Sequence, residues 1–121
     1  MNRRLERSKR LKKKSDYLRV LKGKKRTGRF ISIYWRFSDC EQSRFGFITG
    51  KKVSKKAVDR NRLRRYFKEF CRNNKQLFSA NTDFVFRALP LAGKASHNEI
   101  NDEANGLMEK IASEILADRT N

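Results

Sequence analysis

Three stretches of the chain alternate apolar and polar positions at the period of a β-strand. In Phe30-Ile31-Ser32-Ile33-Tyr34-Trp35-Arg36-Phe37, β-branched and aromatic residues dominate, and period two puts Ile31, Ile33, Trp35 and Phe37 on one face. Arg44-Phe45-Gly46-Phe47-Ile48-Thr49 reads as a second strand, closed by Gly50 and paired antiparallel to the first across the polar run Ser38 to Ser43. Asp83 to Ala88 is the third, with Phe84 and Phe86 on one face and a stop at Leu89-Pro90.

The remaining apolar positions recur at helical spacing. Residues 15–22 predict a short helix, with Ser15 placed to cap it and Gly23 to end it. A longer one over 55–73 follows an expected cap at Ser54, because Leu63, Tyr66, Phe67, Phe70 and Cys71 fall on one side. Asn61, Arg64, Arg65, Lys68 and Arg72 line a different side as a basic stripe. Ser96 and Glu99 have capping-box spacing ahead of Ile100, Ala104, Leu107, Met108, Ile111 and Ile115, which predicts a last helix to about residue 117. Gly106 interrupts that stripe at a cost of about 1 kcal/mol relative to Ala. Helix, strands, helix, strand, helix is the order of an α+β fold with helices packed on one sheet.

Composition narrows the partners. The 121 residues suit a single domain, 1–121, with a flexible basic arm over 1–14 and a tail over 118–121. Lys and Arg number 31 against 13 Asp and Glu, a formal charge of +18 that calls for a polyanion, nucleic acid first. The charge is not spread evenly: residues 1–29 hold 14 basic and 2 acidic side chains, residues 44–75 hold 12 and 2, and residues 97–121 hold 2 and 6. The polyanion is therefore expected on the N-terminal segment and the middle of the chain, with the acidic C-terminus in a supporting role. No apolar run has the length of a membrane span or a secretory signal, so a soluble cytoplasmic protein with no membrane partner is expected. Cys40 and Cys71 are read as reduced thiols.

The densest chemistry lies in Lys51-Lys52-Val53-Ser54-Lys55-Lys56-Ala57-Val58-Asp59-Arg60-Asn61-Arg62-Leu63-Arg64-Arg65. A lysine-rich loop feeding a helix start sets ammonium groups beside unpaired backbone N–H groups, and both favour phosphate oxygens. Arginine adds bidentate contacts to phosphate, and an asparagine between arginines can donate and accept toward a ribose, a base edge or a hydrated cation. An isolated charge run is most often a solvated face; here loop, stripe and N-terminal arm coincide with the +18 charge. His97 has no second ligand at metal spacing, and Asp59 and Glu69 do not resemble a two-metal nuclease pair, so neither a protein-bound metal nor catalysis by the polypeptide is expected.

Arg44-Phe45-Gly46-Phe47-Ile48-Thr49-Gly50-Lys51-Lys52 followed by Ala57-Val58-Asp59-Arg60-Asn61-Arg62-Leu63-Arg64-Arg65 resembles the signature of the bacterial ribonuclease P protein component. The resemblance extends to Arg10-Leu11-Lys12-Lys13 with Asp16-Tyr17, and to Asp83-Phe84-Val85-Phe86-Arg87-Ala88. It implies a small RNA-binding subunit of a ribonucleoprotein endonuclease. Such a subunit assists a catalytic RNA in removing the 5′ leader of precursor tRNA, with Mg2+ at the RNA active site and no DNA partner. Carried over, Lys51, Lys52, Lys55, Lys56, Arg60, Asn61, Arg62, Arg64 and Arg65 would face the RNA subunit. Arg10, Lys12, Lys13, Tyr17, Leu21, Tyr34 and Lys68 would serve the leader strand.

Base stacking on aromatic rings suits an enzyme that accepts many leaders. Leu21 departs from the many family members with an aromatic there, Ile33 replaces Tyr34 if the strand register moves by one, and Tyr17 and Leu21 equally suit core packing of a short helix. The family fold is a small, mainly antiparallel four-stranded sheet with three helices and a left-handed crossover between parallel strands. The fourth strand would fall near residues 24–29, which show no apolar alternation. The alternative for the same charge is a basic ribosomal or ribosome-assembly protein without catalytic role.

Overall fold

Five consecutive residues, Ile31 to Trp35, are buried, which only a strand covered on both faces can achieve. They belong to β2 (Ile31–Phe37), and β4 (Thr82–Ala88) is buried in the same way from Thr82 to Phe86. These two strands form the centre of the sheet in the computed structural model, which describes residues 9–120. The order is β1-β2-β4-β3, with β1 (Lys24–Thr27) and β3 (Arg44–Ile48) at the edges. β1–β2 and β2–β4 are antiparallel, and β3–β4 is parallel.

The expected antiparallel pairing of the first two sequence-evident strands is therefore corrected. β4 inserts between them, pairing Tyr34 with Val85 on one side and Gly46 with Val85 on the other. Burial on both faces drives β4 to the centre, where both of its ladder edges are also satisfied. β1 is the strand that alternation could not find: its sequence is Lys-Lys-Arg-Thr, all four residues are exposed, and backbone pairing alone defines it.

Alternation gives the sheet two different faces. Ile31, Ile33, Trp35, Phe45, Phe84 and Phe86 meet α2 (Ala57–Asn73) and α3 (His97–Thr120) through Leu63, Phe67, Phe70, Ile100, Met108, Ile111 and Ile115. Each such side chain contributes about 1.5–3 kcal/mol on burial. The other face carries a smaller cluster of Leu11, Val20, Tyr34 and Val85, joined by Tyr17, Leu21 and Ile48 under α1 (Lys14–Leu21). Phe37, expected on the inner face with Ile31, is exposed at the end of β2, where the Arg119 guanidinium lies over its ring.

The caps correct two expectations and bear out one. α1 is flanked by Lys13 rather than Ser15, and α2 by Lys56 rather than Ser54, neither with a side-chain cap. Ser54 instead stands two residues earlier, accepting from the Lys56 N–H and donating to Asp59. Ser96 and Glu99 do form the reciprocal capping box, and the bond from the Ser96 N–H holds the Glu99 carboxyl below its ordinary range. α3 runs unbroken past Gly106 to Thr120, so no tail begins at 118. Of the expected arm, residues 1–8 lie outside the described residues; Leu11 is buried, and its N–H donates to the Phe45 carbonyl.

Candidate nucleic-acid interface

The segment from the end of β3 into α2 concentrates exposed cations. Lys51, Lys52, Lys55 and Lys56 are exposed, and the first turn of α2 follows them with no side chain capping it. The three residues at the core of the motif differ in their roles. Arg60 donates to the Ser54 carbonyl (2.8 Å) and Arg62 to the Gly93 carbonyl (2.9 Å), so both arginines brace the chain on either side of the helix start. Asn61 faces solvent, its amide oxygen accepting from Arg64 (3.2 Å). Arg62 and Arg65 flank the Tyr66 ring at 5.8 and 6.0 Å, which fixes the Arg65 stem while leaving it exposed. Asn61, Arg64 and Arg65 with the four lysines thus form one outward cationic surface.

The residues expected at the leader are divided between two places. Tyr17 and Leu21 are half-buried on one side of α1, packed with Ile48 against the Leu11, Val20, Tyr34 and Val85 cluster, and the Tyr17 hydroxyl accepts from the Phe47 N–H (3.3 Å). Tyr34 lies on this same face, and Ile33 on the opposite one inside the main core, which settles the register. Tyr34 is nevertheless only 8% exposed, beneath Val20 and Leu11, with the Lys25 ammonium 5.7 Å above its ring; an open stacking platform there is corrected to a covered one. Lys12 and Lys13 are exposed where the chain enters α1.

Lys68 stands apart, on α2 across the sheet from α1. Burial lowers its pKa, and the Arg10 and Arg64 charges lower it further. Arg10 itself bridges to Phe45, so this second cationic group follows the outer edge of β3.

A buried carboxylate fixes the geometry between these places. Asp83, with no exposed side-chain surface, accepts from Arg44 through both of its oxygens (2.9 and 2.8 Å) and from Arg19 of α1. This hydrogen-bonded charge network pins α1 across β3 and β4. It escaped the sequence reading because its members are 64 and 39 positions apart. Arg87 escaped too, although the alternation that groups Phe84 with Phe86 also places Asp83, Val85 and Arg87 on the opposite face.

Asp59 is held by Ser54 while Glu69 lies 3.6 Å from exposed His97, whose ring stacks on Tyr66. Among the described residues no three His, Cys, Asp or Glu side chains are grouped to hold a metal ion. Cys40 and Cys71 are free thiols, and burial pushes the Cys71 thiol pKa up. Among those residues, too, no helix is long and apolar enough to cross a membrane.

A mixed four-stranded sheet with three helices and an exposed cationic helix start defines a small α+β protein with a surface suited to RNA. Residues 5–112 match the family model described as Ribonuclease P. The ribonuclease P protein component of Syntrophomonas wolfei is 33% identical over 107 residues, covering 88% of this chain and 89% of that one. That of Pelotomaculum thermopropionicum is 43% identical over 79 residues, covering 64% and 70%. The fold matches the Staphylococcus aureus RNase P protein at a TM-score of 0.79 and 23% identity, over 85% of this chain and 94% of that one. It matches the Thermotoga maritima RNase P protein at 0.74 and 23%, over 84% and 96%. The chain belongs to the ribonuclease P protein component family, and is thereby part of an endoribonuclease that acts with an RNA subunit.

Proposed function

We propose that this chain holds two RNAs at once. The lysine loop and the outward side of α2, with Asn61, Arg64 and Arg65 foremost, bind the folded RNA subunit; a furrow between α1 and the sheet, beside Tyr17 and Leu21, takes the single-stranded 5′ leader of precursor tRNA. Hydrolysis belongs to the RNA subunit and its Mg2+, and the protein supplies affinity and position. Its cations neutralise phosphates that would otherwise require more bound metal.

The observation that carries this reading is the exposure of Asn61 and Arg65 on a helix braced from behind by Arg60 and Arg62. A surface so pre-organised binds with little ordering cost. The half-buried Tyr17 and Leu21 offer apolar area to unpaired bases, for which sequence-tolerant stacking is worth about 1–3 kcal/mol per base.

Single-turnover cleavage of precursor tRNA by the cognate RNA subunit, at low Mg2+ and over a series of leader lengths, tests it. Adding the protein is expected to raise the rate and to tighten binding as unpaired 5′ nucleotides are added. A gain independent of leader length would remove the leader from the proposal, and no gain at all would overturn it.

A further inference from the structure

The four residues of β1 alternate between the two faces of the sheet, and the acids of α3 lie on only one of them. Lys24 reaches Asp118 (2.5 Å) and Arg26 reaches Glu114 (3.3 Å) on the α3 side. Glu103 of the same helix is occupied by the backbone N–H groups of Arg29, Phe30 and Ile31. Lys25 and Thr27 face the α1 side, opposite Tyr34 and Ser32. Continuing across the sheet, Ser32 pairs with Arg87, and Arg87 with Ile48, which packs against the same small cluster as Tyr17 and Leu21. Arg87 is therefore on the sheet face that carries α1, one row beyond Val85, where the proposed furrow has its floor. It is exposed, and among the described residues its side chain makes no hydrogen bond or ion pair.

The acidic C-terminal helix thus neutralises cations on one face of the sheet and leaves those on the other uncompensated. A guanidinium on the central strand β4, with its fork free and apolar side chains beside it, suits a ligand that is anionic along one edge and flat and apolar along the other. A single-stranded polynucleotide has that form, with bases toward Tyr17 and Leu21 and phosphates toward the floor.

We propose that Arg87, with Lys25 as a second point, contacts the phosphodiester backbone of the leader strand; this rests on the reading that the leader occupies the furrow. A contact to phosphate rather than to a base edge adds affinity without sequence preference.

The test measures the affinity of the reconstituted holoenzyme for precursor tRNAs with a series of leader lengths, beginning with none, for the native protein, Arg87→Gln and Arg87→Lys. Arg87→Gln is expected to weaken leader-bearing substrates about tenfold. It should also make the log–log salt slope shallower by about 0.7 and leave leaderless tRNA and RNA-subunit affinity unchanged. Arg87→Lys should recover part of the loss. One neutral methylphosphonate in the leader should cost the native holoenzyme affinity at a position where it costs Arg87→Gln nothing.

Equal affinities of native and Arg87→Gln holoenzymes for every leader overturn this inference, as does an equal loss on leaderless tRNA. If native affinity still rises with leader length in those cases, the furrow reading stands without Arg87. Absence of leader dependence in the native holoenzyme overturns both.

Discussion

The Tyr17 ring lies directly on Gly46 of β3: a Cβ placed on that glycine would come within 2.5 Å of the ring. Here the glycine provides a close approach, since its φ is not in the left-handed region. The ring edge has no room to retreat while its hydroxyl accepts from the Phe47 N–H and α1 is pinned through Arg19 to Asp83. Gly46→Ala is expected to destabilise the protein by about 1–3 kcal/mol in urea denaturation, the usual range for overpacking. Because the displaced ring is the furrow wall, the variant should also lose leader-dependent affinity while retaining RNA-subunit binding at temperatures where it is folded.

The arginines of the Arg60-Asn61-Arg62 motif should separate from their neighbours by what they lose. Arg62 combines the Gly93 carbonyl, the Tyr66 face and Asp59 at 4.0 Å, so Arg62→Ala is expected to cost about 1–2 kcal/mol of stability. Asn61→Ala and Arg65→Ala should leave the melting temperature within a degree or two, because both side chains are exposed. They should instead weaken RNA-subunit binding, and Arg65→Ala should flatten its salt dependence by about 0.7–0.9 in log–log slope. A melting temperature lowered equally by all three would contradict this division of roles.

How much of this was legible in the sequence followed from the range of the interactions. The final helix and its Ser96–Glu99 cap were readable because a cap and an apolar stripe are local patterns. The pairing of β3 with β4 was not, because the polar run 38–43 has the composition of a hairpin loop. Instead it is tied to the start of β4, where Asn81 sits at a φ of 57° and its side-chain amide donates to the Cys40 carbonyl. Asparagine tolerates that left-handed conformation better than most residues. The exposed side of α2 was readable as a stripe of charge. The furrow was only half readable: alternation puts Tyr34 on the correct face, but whether α1 covers it depends on contacts across the sheet that no local pattern encodes.

Glu103 holds the turn between β1 and β2 through one carboxylate. Its two oxygens accept from three successive backbone N–H groups, those of Phe30 and Ile31 at 2.8 Å. Glu103→Ala leaves these donors to water and is expected to cost about 1.5–3 kcal/mol. Hydrogen exchange should show the loss as faster exchange at Arg29, Phe30 and Ile31 than in the native protein, with the α2 amides changed far less. Uniform acceleration across the sheet would argue that the carboxylate acts on the whole fold.

Gly106 lies in the middle of α3, and a Cβ there would meet nothing within 4 Å. Gly106→Ala is therefore expected to stabilise the protein by about 0.5–1 kcal/mol, through the lower entropy of the unfolded chain and better helix propensity. Chemical denaturation should show a higher midpoint at unchanged slope.

Lys68 gives the interface a pH dependence of definite sign. Burial lowers its pKa below the ordinary 10.5, and the charges of Arg10 and Arg64 lower it further, so the folded protein binds this proton more weakly than the unfolded chain does. Its charged form therefore disfavours folding at neutral pH, and that penalty is relieved as pH rises from the folded value toward 10.5. The negative charge of a phosphodiester brought against Lys68 outweighs these causes and raises the pKa, so binding takes up a proton in the alkaline window between the free and bound values. Affinity for the RNA subunit, proposed to lie along this side of α2, is expected to fall as pH rises through that window. Lys68→Arg should remove this decline, because arginine stays charged there. NMR titration of the Lys68 ε-carbon, free and bound, checks the same point: an upward shift on binding is expected. An unchanged titration would show that Lys68 meets no phosphate in the complex.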